Sequence, residues 1–182
     1  MKQVKGSIFK LIVKPIKANK SGNYDTLLSD KAKELLKQTI LDTTWYPYEL
    51  YRECYKALMK VEANNDPVVL HQWGQQYGEL LFTSIYKSKL GHGRIDEAIQ
   101  GYQRFHDLAY NFGESVAEFV SDNEVIITFK GFDREWENFY HVALGWVHKF
   151  VELSIKKEIT SKFISKSWEG ADATKISLSW PS

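Results

Sequence analysis

The chain has 182 residues, enough to bury a substantial core as one domain. Hydrophobic residues make up 43% and aromatics 14%, which excludes a disordered chain. Its 24 Lys and Arg nearly cancel 23 Asp and Glu, so no global field draws it to nucleic acid or an anionic membrane. Cys54 is the single cysteine, which excludes an intrachain disulfide and suits a reducing compartment. The start Met1–Gly6 has no signal-peptide apolar run, and no stretch approaches the roughly 18 apolar residues that span a bilayer. The expectation is a soluble, cytoplasmic protein.

In chain order, Ser7 to Val13 is a short apolar run that suits a strand or the first turn of a helix, and Pro15 is expected to stop it. Lys14 to Asp25 is polar and reads as an exposed loop. Ser29 or Asp30 caps a helix through about Leu41, with Ala32, Leu35, Leu36, Thr39 and Ile40 at helical spacing. Pro47 suits a first helical position, and the apolar residues Leu50, Tyr51, Cys54, Tyr55, Leu58 and Val61 continue that helix. Asp66-Pro67 repeats the signal, opening a longer helix to roughly Leu90 that Gly91-His92-Gly93 would end.

A further helix is expected from Asp96 to about Phe119, with a break near Gly113. Glu124 to Lys130 is rich in β-branched and aromatic residues and reads as a strand. An amphipathic helix follows from about Arg134 to Leu153. Ile159 to Trp168 and Thr174 to Trp180 are two closing strands joined across Gly170-Ala-Asp172. In the last, Ile176, Leu178 and Trp180 alternate with polar residues, as a sheet with one buried face requires. The expected fold class is α+β: an N-terminal helical layer packed on a small antiparallel sheet, with a β-α-β-β C-terminal half and one domain over residues 1–182.

The helix from Arg134 to Leu153 carries two faces of interest. Trp136, Phe139, Tyr140, Ala143, Val147, Phe150 and Val151 form a core stripe. Glu137, His141, His148 and Glu152 share another side, a composition that suggests a metal site. His141 and His148, however, differ in height by about 10.5 Å at 1.5 Å per residue, too far for one ion. A solvated or interface-facing stripe is the expectation. Cys54 lies on an apolar helix face with no base to activate it, so buried packing is expected.

His92 lies between two glycines, which suit a helix-ending turn better than a ligand nest. His106 and Asp107 are adjacent and do not share a helical face, so they are no catalytic pair. Gly74 and Gly78, four apart, let another backbone approach closely or leave room for a ligand, and tight packing is the commoner use. There is no serine-hydrolase elbow, dinucleotide fingerprint, zinc knuckle or paired-carboxylate motif.

Several features together carry a resemblance: Gly6 to Phe9, Trp45-Tyr-Pro47, the strand Val125 to Phe129, Gly145-Trp146, and above all the ending Ser167 to Trp180. The chain resembles the superfamily of haem–nitric-oxide-binding (H-NOX) domains, 4-vinyl-reductase-type domains and transport-particle subunits, and within it a haem-less, H-NOX-like bacterial paralogue family. The resemblance implies an α+β domain with helices against an antiparallel sheet and a pocket between them. It also implies binding of haem, small hydrophobic molecules or acyl chains, and often dimers. The haem binders carry a proximal His and a downstream Tyr-x-Ser-x-Arg motif. The nearest match, Tyr86-Lys-Ser88-Lys-Leu90, has Leu in place of Arg and precedes His92 and His106. Ala171 and Thr174 stand where vinyl-reductase-type hairpins often carry cysteines.

The function expected is therefore a non-enzymatic ligand-binding or sensory domain. Its apolar pocket would be lined by Trp73, Tyr77, Tyr102, Phe105 and Trp146 and would take a small hydrophobic molecule. The alternative is a ligand-free homodimeric scaffold resembling transport-particle subunits. No cofactor, metal, catalytic residue, nucleic-acid partner or membrane span is expected, haem included.

Overall fold

A computed structural model describes residues 1–84, 87, 90 and 95–182, without the side chains of Ile95 and Gln103. The chain divides into two units, one of Met1–Asp66 with Leu108–Phe112, the other of Pro67–Asp107 with Gly113–Ser182.

In the first unit a short strand β1 (Gln3–Lys5) leads directly into helix α1 (Gly6–Ala18). Ile8, Phe9, Ile12, Val13 and Ile16 recur at helical spacing and are all buried, so burial of this stripe decides for helix over strand. Pro15 lies inside α1 and does not stop it. The proline costs one backbone hydrogen bond, but the buried Ile16 holds the last turn and Asn19 N–H donates to the Pro15 carbonyl at 3.1 Å. Helix α2 (Asp30–Lys37) is capped as expected: Ser29 Oγ accepts from Ala32 N–H at 3.2 Å. It ends short of Leu41, and Ile40 is buried beyond its end instead.

Strand β2 (Trp45–Pro47) pairs antiparallel with β1, Val4 opposite Tyr46. Pro47 is the N-cap of helix α3 (Tyr48–Ala63), one residue earlier than its expected position. Tyr51, Cys54, Tyr55 and Leu58 line the buried face of α3, and the Tyr51 ring meets Phe9 edge-on at 5.6 Å. Asn64, in the left-handed conformation that asparagine tolerates, ends the helix.

The second unit opens with helix α4 (Pro67–Thr83), which Pro67 begins. The expected stop at Gly91-His92-Gly93 lies outside the described residues. Helix α5 (Ile95–Ala109) is shorter than expected. Where its continuation was expected, Glu114–Ser121 forms a strand, β3, at one edge of a four-stranded sheet. Gly113, at φ 69°, turns the chain out of the helical region, and Val116 then pairs with Thr128 of strand β4 (Glu124–Lys130).

Helix α6 (Glu137–Ile155) follows, then strands β5 (Thr160–Ser165) and β6 (Thr174–Ser179). The sheet order is β3-β4-β6-β5 with every neighbour antiparallel. The half expected as β-α-β-β is thus β-β-α-β-β, and the class is α+β. Val125 pairs with Leu178 and Ile127 with Ile176, all buried, so the central strands present one apolar face. The stripe on α6 from Phe139 to Val151, with Trp136 at its N-cap, is buried throughout. Among the described residues, no helix is long and apolar enough to cross a membrane.

Helices α4 and α6 meet at backbone distance. A Cβ on Gly74 would lie 2.0 Å from the Val142 carbonyl oxygen, and one on Gly145 would lie 2.0 Å from the His71 carbonyl oxygen. Backbone cannot yield as a flexible side chain does, so only glycine fits at either position. Gly74→Ala and Gly145→Ala are each expected to lower unfolding stability by about 1–3 kcal/mol or more. A urea titration checks this against Gln76→Ala, an exposed control expected to stay within about 0.5 kcal/mol of the parent.

Candidate functional site

The α4–α6 crossing sets two side-chain groups around itself. The first is aromatic. Trp146 follows Gly145, and its ring contacts Phe105 of α5 at 4.4 Å, Phe82 of α4 at 4.8 Å and Tyr102 of α5 at 6.2 Å. Phe150, one turn further along α6, closes the group against Phe82 at 4.7 Å and Tyr102 at 5.6 Å. These separations suit offset and edge-on ring pairs, each worth about 0.5–1.5 kcal/mol beyond area burial. Phe82, Tyr102, Phe105 and Phe150 are buried, whereas Trp146 is partly exposed. The Tyr102 hydroxyl shares a hydrogen bond with Ser115 Oγ, which satisfies the one hydroxyl in the cluster.

Three of the five expected pocket residues, Tyr102, Phe105 and Trp146, therefore come together. Trp73 and Tyr77 pair with one another on α4 at 6.5 Å, and burial raises the Tyr77 hydroxyl above its ordinary pKa. Phe82, not singled out from the sequence, and Phe150, expected only in the core stripe of α6, join the cluster.

The second group is imidazole. His71 lies against Gly145, whose virtual Cβ would be 2.8 Å from the His71 ring carbon Cδ2. Gly145 is four residues after His141 and three before His148, so α4 delivers a third histidine into the gap between the two on α6. The His71 and His148 rings meet at 5.9 Å between centroids, 62° apart in plane. His148 Nδ1 is 2.9 Å from Ser161 Oγ on β5. His141 turns away: its Nε2 is 3.4 Å from Glu137, and its ring packs on Phe163 and Trp168 at 5.3 and 5.9 Å. Glu152, the last member of the stripe seen in sequence, pairs with Lys149. Among the described residues, no three His, Cys, Asp or Glu converge as metal ligands.

Both central imidazoles are held neutral. Burial lowers the His71 pKa below 6.5, and His148 and His141 lower it further. Burial likewise lowers that of His148, with Lys149 reinforcing and Glu152 opposing the shift. The His71 Nε2 is buried and has no hydrogen-bond partner among the described residues.

The remaining candidates are structural. His106 is buried on α5, its Nε2 3.2 Å from the Gly113 carbonyl and its ring edge-on to Phe132 at 5.7 Å. His92 and the Tyr86 to Leu90 motif fall on or among residues that are not described. Cys54 is buried on α3, and burial, with neighbouring Glu53, pushes its thiol up to about 12. The closing hairpin is stitched to the start of α6 by Ser167, whose Oγ donates to the Arg134 carbonyl at 2.8 Å and lies 2.8 Å from Thr174 Oγ1. Trp168 stacks on Tyr140 at 5.3 Å.

The fold is H-NOX-like. An oxygen-binding H-NOX domain related to soluble guanylate cyclases superposes with a TM-score of 0.62 at 14% identity, over 98% of this chain and 95% of that one. A point variant of the T. tengcongensis H-NOX domain gives 0.61 at 13% identity, over 98% of both chains. An Fe(II) unliganded H-NOX variant from K. algicida gives 0.57 at 13% identity, over 98% and 97%. No protein-family model matches the sequence, and no curated protein matches it.

Two measurements follow from these environments. Because the folded imidazoles of His71 and His148 titrate below 6.5, the unfolded chain binds the extra protons as pH falls through that value. Stability is expected to be flat above neutrality and to decline as pH drops below about 6.5, the unfolded histidine pKa; His71→Gln should flatten that decline in urea midpoints read from pH 7.5 to 5. For Cys54, a thiol reagent at pH 8 should label the folded chain far more slowly than the urea-unfolded chain. Equal rates would mean the thiol is exposed.

Proposed function

We propose that the chain is a non-enzymatic sensory domain that binds a small hydrophobic molecule at the aromatic cluster around Trp146, without haem. The observation that carries this reading is the cluster itself. Phe82, Tyr102, Phe105 and Phe150 pack together around Trp146, the partly exposed member of the cluster. Such a cluster offers apolar area and one hydroxyl, that of Tyr102 with Ser115, and that is the composition small-ligand sites favour. The H-NOX-like fold supports a sensing role, since one similar structure is an oxygen-binding domain in its oxygen complex.

We leave haem out because the nearest match to the haem binders' Tyr-x-Ser-x-Arg motif, Tyr86 to Leu90, ends in leucine. His106, the buried histidine of α5, has its Nε2 3.2 Å from the Gly113 carbonyl and its ring edge-on to Phe132, which supports a packing role. Arg134, the arginine nearest the β4–α6 turn, is engaged with the Ala171 carbonyl at 2.7 Å and is exposed. The polar groups of this unit are spread among structural hydrogen bonds, which supports binding over catalysis.

Absorption spectroscopy and native mass spectrometry on the purified chain test the reading together. The expected result is no Soret band and an added mass from a small apolar molecule. Apolar ligands should also change the tryptophan fluorescence of the parent chain and leave that of Trp146→Phe unchanged. A stoichiometric Soret band would replace this reading with a haem protein. A bare mass with fluorescence indifferent to apolar ligands would remove the ligand altogether.

A further inference from the structure

The aromatic cluster leaves the histidines on the other side of the α4–α6 crossing without a role. We infer that His71 and His148 form a two-imidazole site for a divalent first-row transition ion such as zinc, water completing the coordination shell.

Three independent features place it. The rings meet edge-on from different helices with centroids 5.9 Å apart. Metal–nitrogen bonds of about 2.0–2.1 Å put each ring centroid about 3 Å from a shared ion, so two ligating rings stand about 5–6 Å apart. Among the described residues the buried His71 Nε2 has no hydrogen-bond partner, although a buried polar atom normally has one. A metal ion supplies that partner.

The third feature is the support behind His148. Its Nδ1 lies 2.9 Å from Ser161 Oγ. An N–H donated there fixes the tautomer and leaves Nε2 with a lone pair, the arrangement in which metal-binding histidines are usually held. The backbone contact at Gly145 fixes His71 on its side, so neither ring requires a helix to move. Burial keeps both imidazoles in the neutral, ligating form.

His141 is not a ligand, because its ring is packed on Phe163 and Trp168. The objection that two histidines seven apart on α6 cannot share an ion therefore does not apply: the pair is one histidine from each helix. Bound metal would tie α4 to α6 across the crossing. Imidazole sites of this kind favour copper and nickel over zinc in intrinsic affinity.

The test is a zinc titration of the untagged, chelator-treated chain, followed by competition with a metal-binding dye. His71→Gln and His148→Gln are each expected to weaken zinc binding about tenfold or more, and His141→Gln to leave it unchanged. Because a variant can lose its fold, long-range proton–nitrogen NMR of the histidine rings in the parent chain provides a second measurement. Zinc should shift the Nε2 signals of His71 and His148 together and leave those of His141 and His106 in place. No zinc-dependent shift, or a shift confined to other histidines, overturns the site; so does wild-type affinity in either variant.

Discussion

The second unit is organised by the backbone-to-backbone approach of α4 and α6 at Gly74 and Gly145. Two missing Cβ atoms let the helices close until carbonyl oxygens of one reach the α-carbons of the other. Everything of functional interest then follows from helical geometry. Residue 146 projects its indole toward Phe82, Phe105 and Tyr102, while residues 141 and 148 flank His71, one turn to either side of the crossing. Widening that contact by one methyl group would loosen the aromatic cluster and the imidazole pair at once. A structural constraint and two chemical environments thus share one cause.

The two environments differ in how their polar atoms are satisfied. Around Trp146, the rings pack on rings and the single hydroxyl is bonded to Ser115. Around His71, one nitrogen is buried with no partner among the described residues, beside a second imidazole that burial keeps below its ordinary pKa. The first arrangement lowers its energy by excluding water, and the second is completed by something that donates to, or coordinates, nitrogen. At the closing hairpin the polar groups close on one another, as Ser167 does with Thr174 and the Arg134 carbonyl.

Much of the fold was legible because local signals and burial agreed. Ser29 capped α2, Pro67 opened α4, and the alternation of Ile176, Leu178 and Trp180 marked a half-buried strand. Where the reading differed, long-range pairing or burial outweighed a local cue. Pro15 suggested a stop, yet buried Ile16 carried α1 onward. The stretch from Gly113 to about Phe119 was expected to belong to a helix, but β4 offered a partner and made Glu114–Ser121 an edge strand with little alternation of its own. The histidines show the same limit. Their spacing on α6 was visible, and so was the glycine pattern on α4, but that Gly145 would receive His71 depends on a helix pairing that no single-chain periodicity encodes. Phe82 and Phe150 were missed as cluster members for the same reason: each is an ordinary core aromatic until α4, α5 and α6 bring them to Trp146.

The crossing itself can be read directly in solution. In a nuclear Overhauser spectrum of the chain, the account predicts strong cross-peaks between the Gly145 α-protons and the His71 ring proton on Cδ2, along with α-proton contacts from Gly74 to Val142. Absence of those peaks, with the His71 ring showing only contacts within its own helix, would contradict the close approach from which both sites are derived.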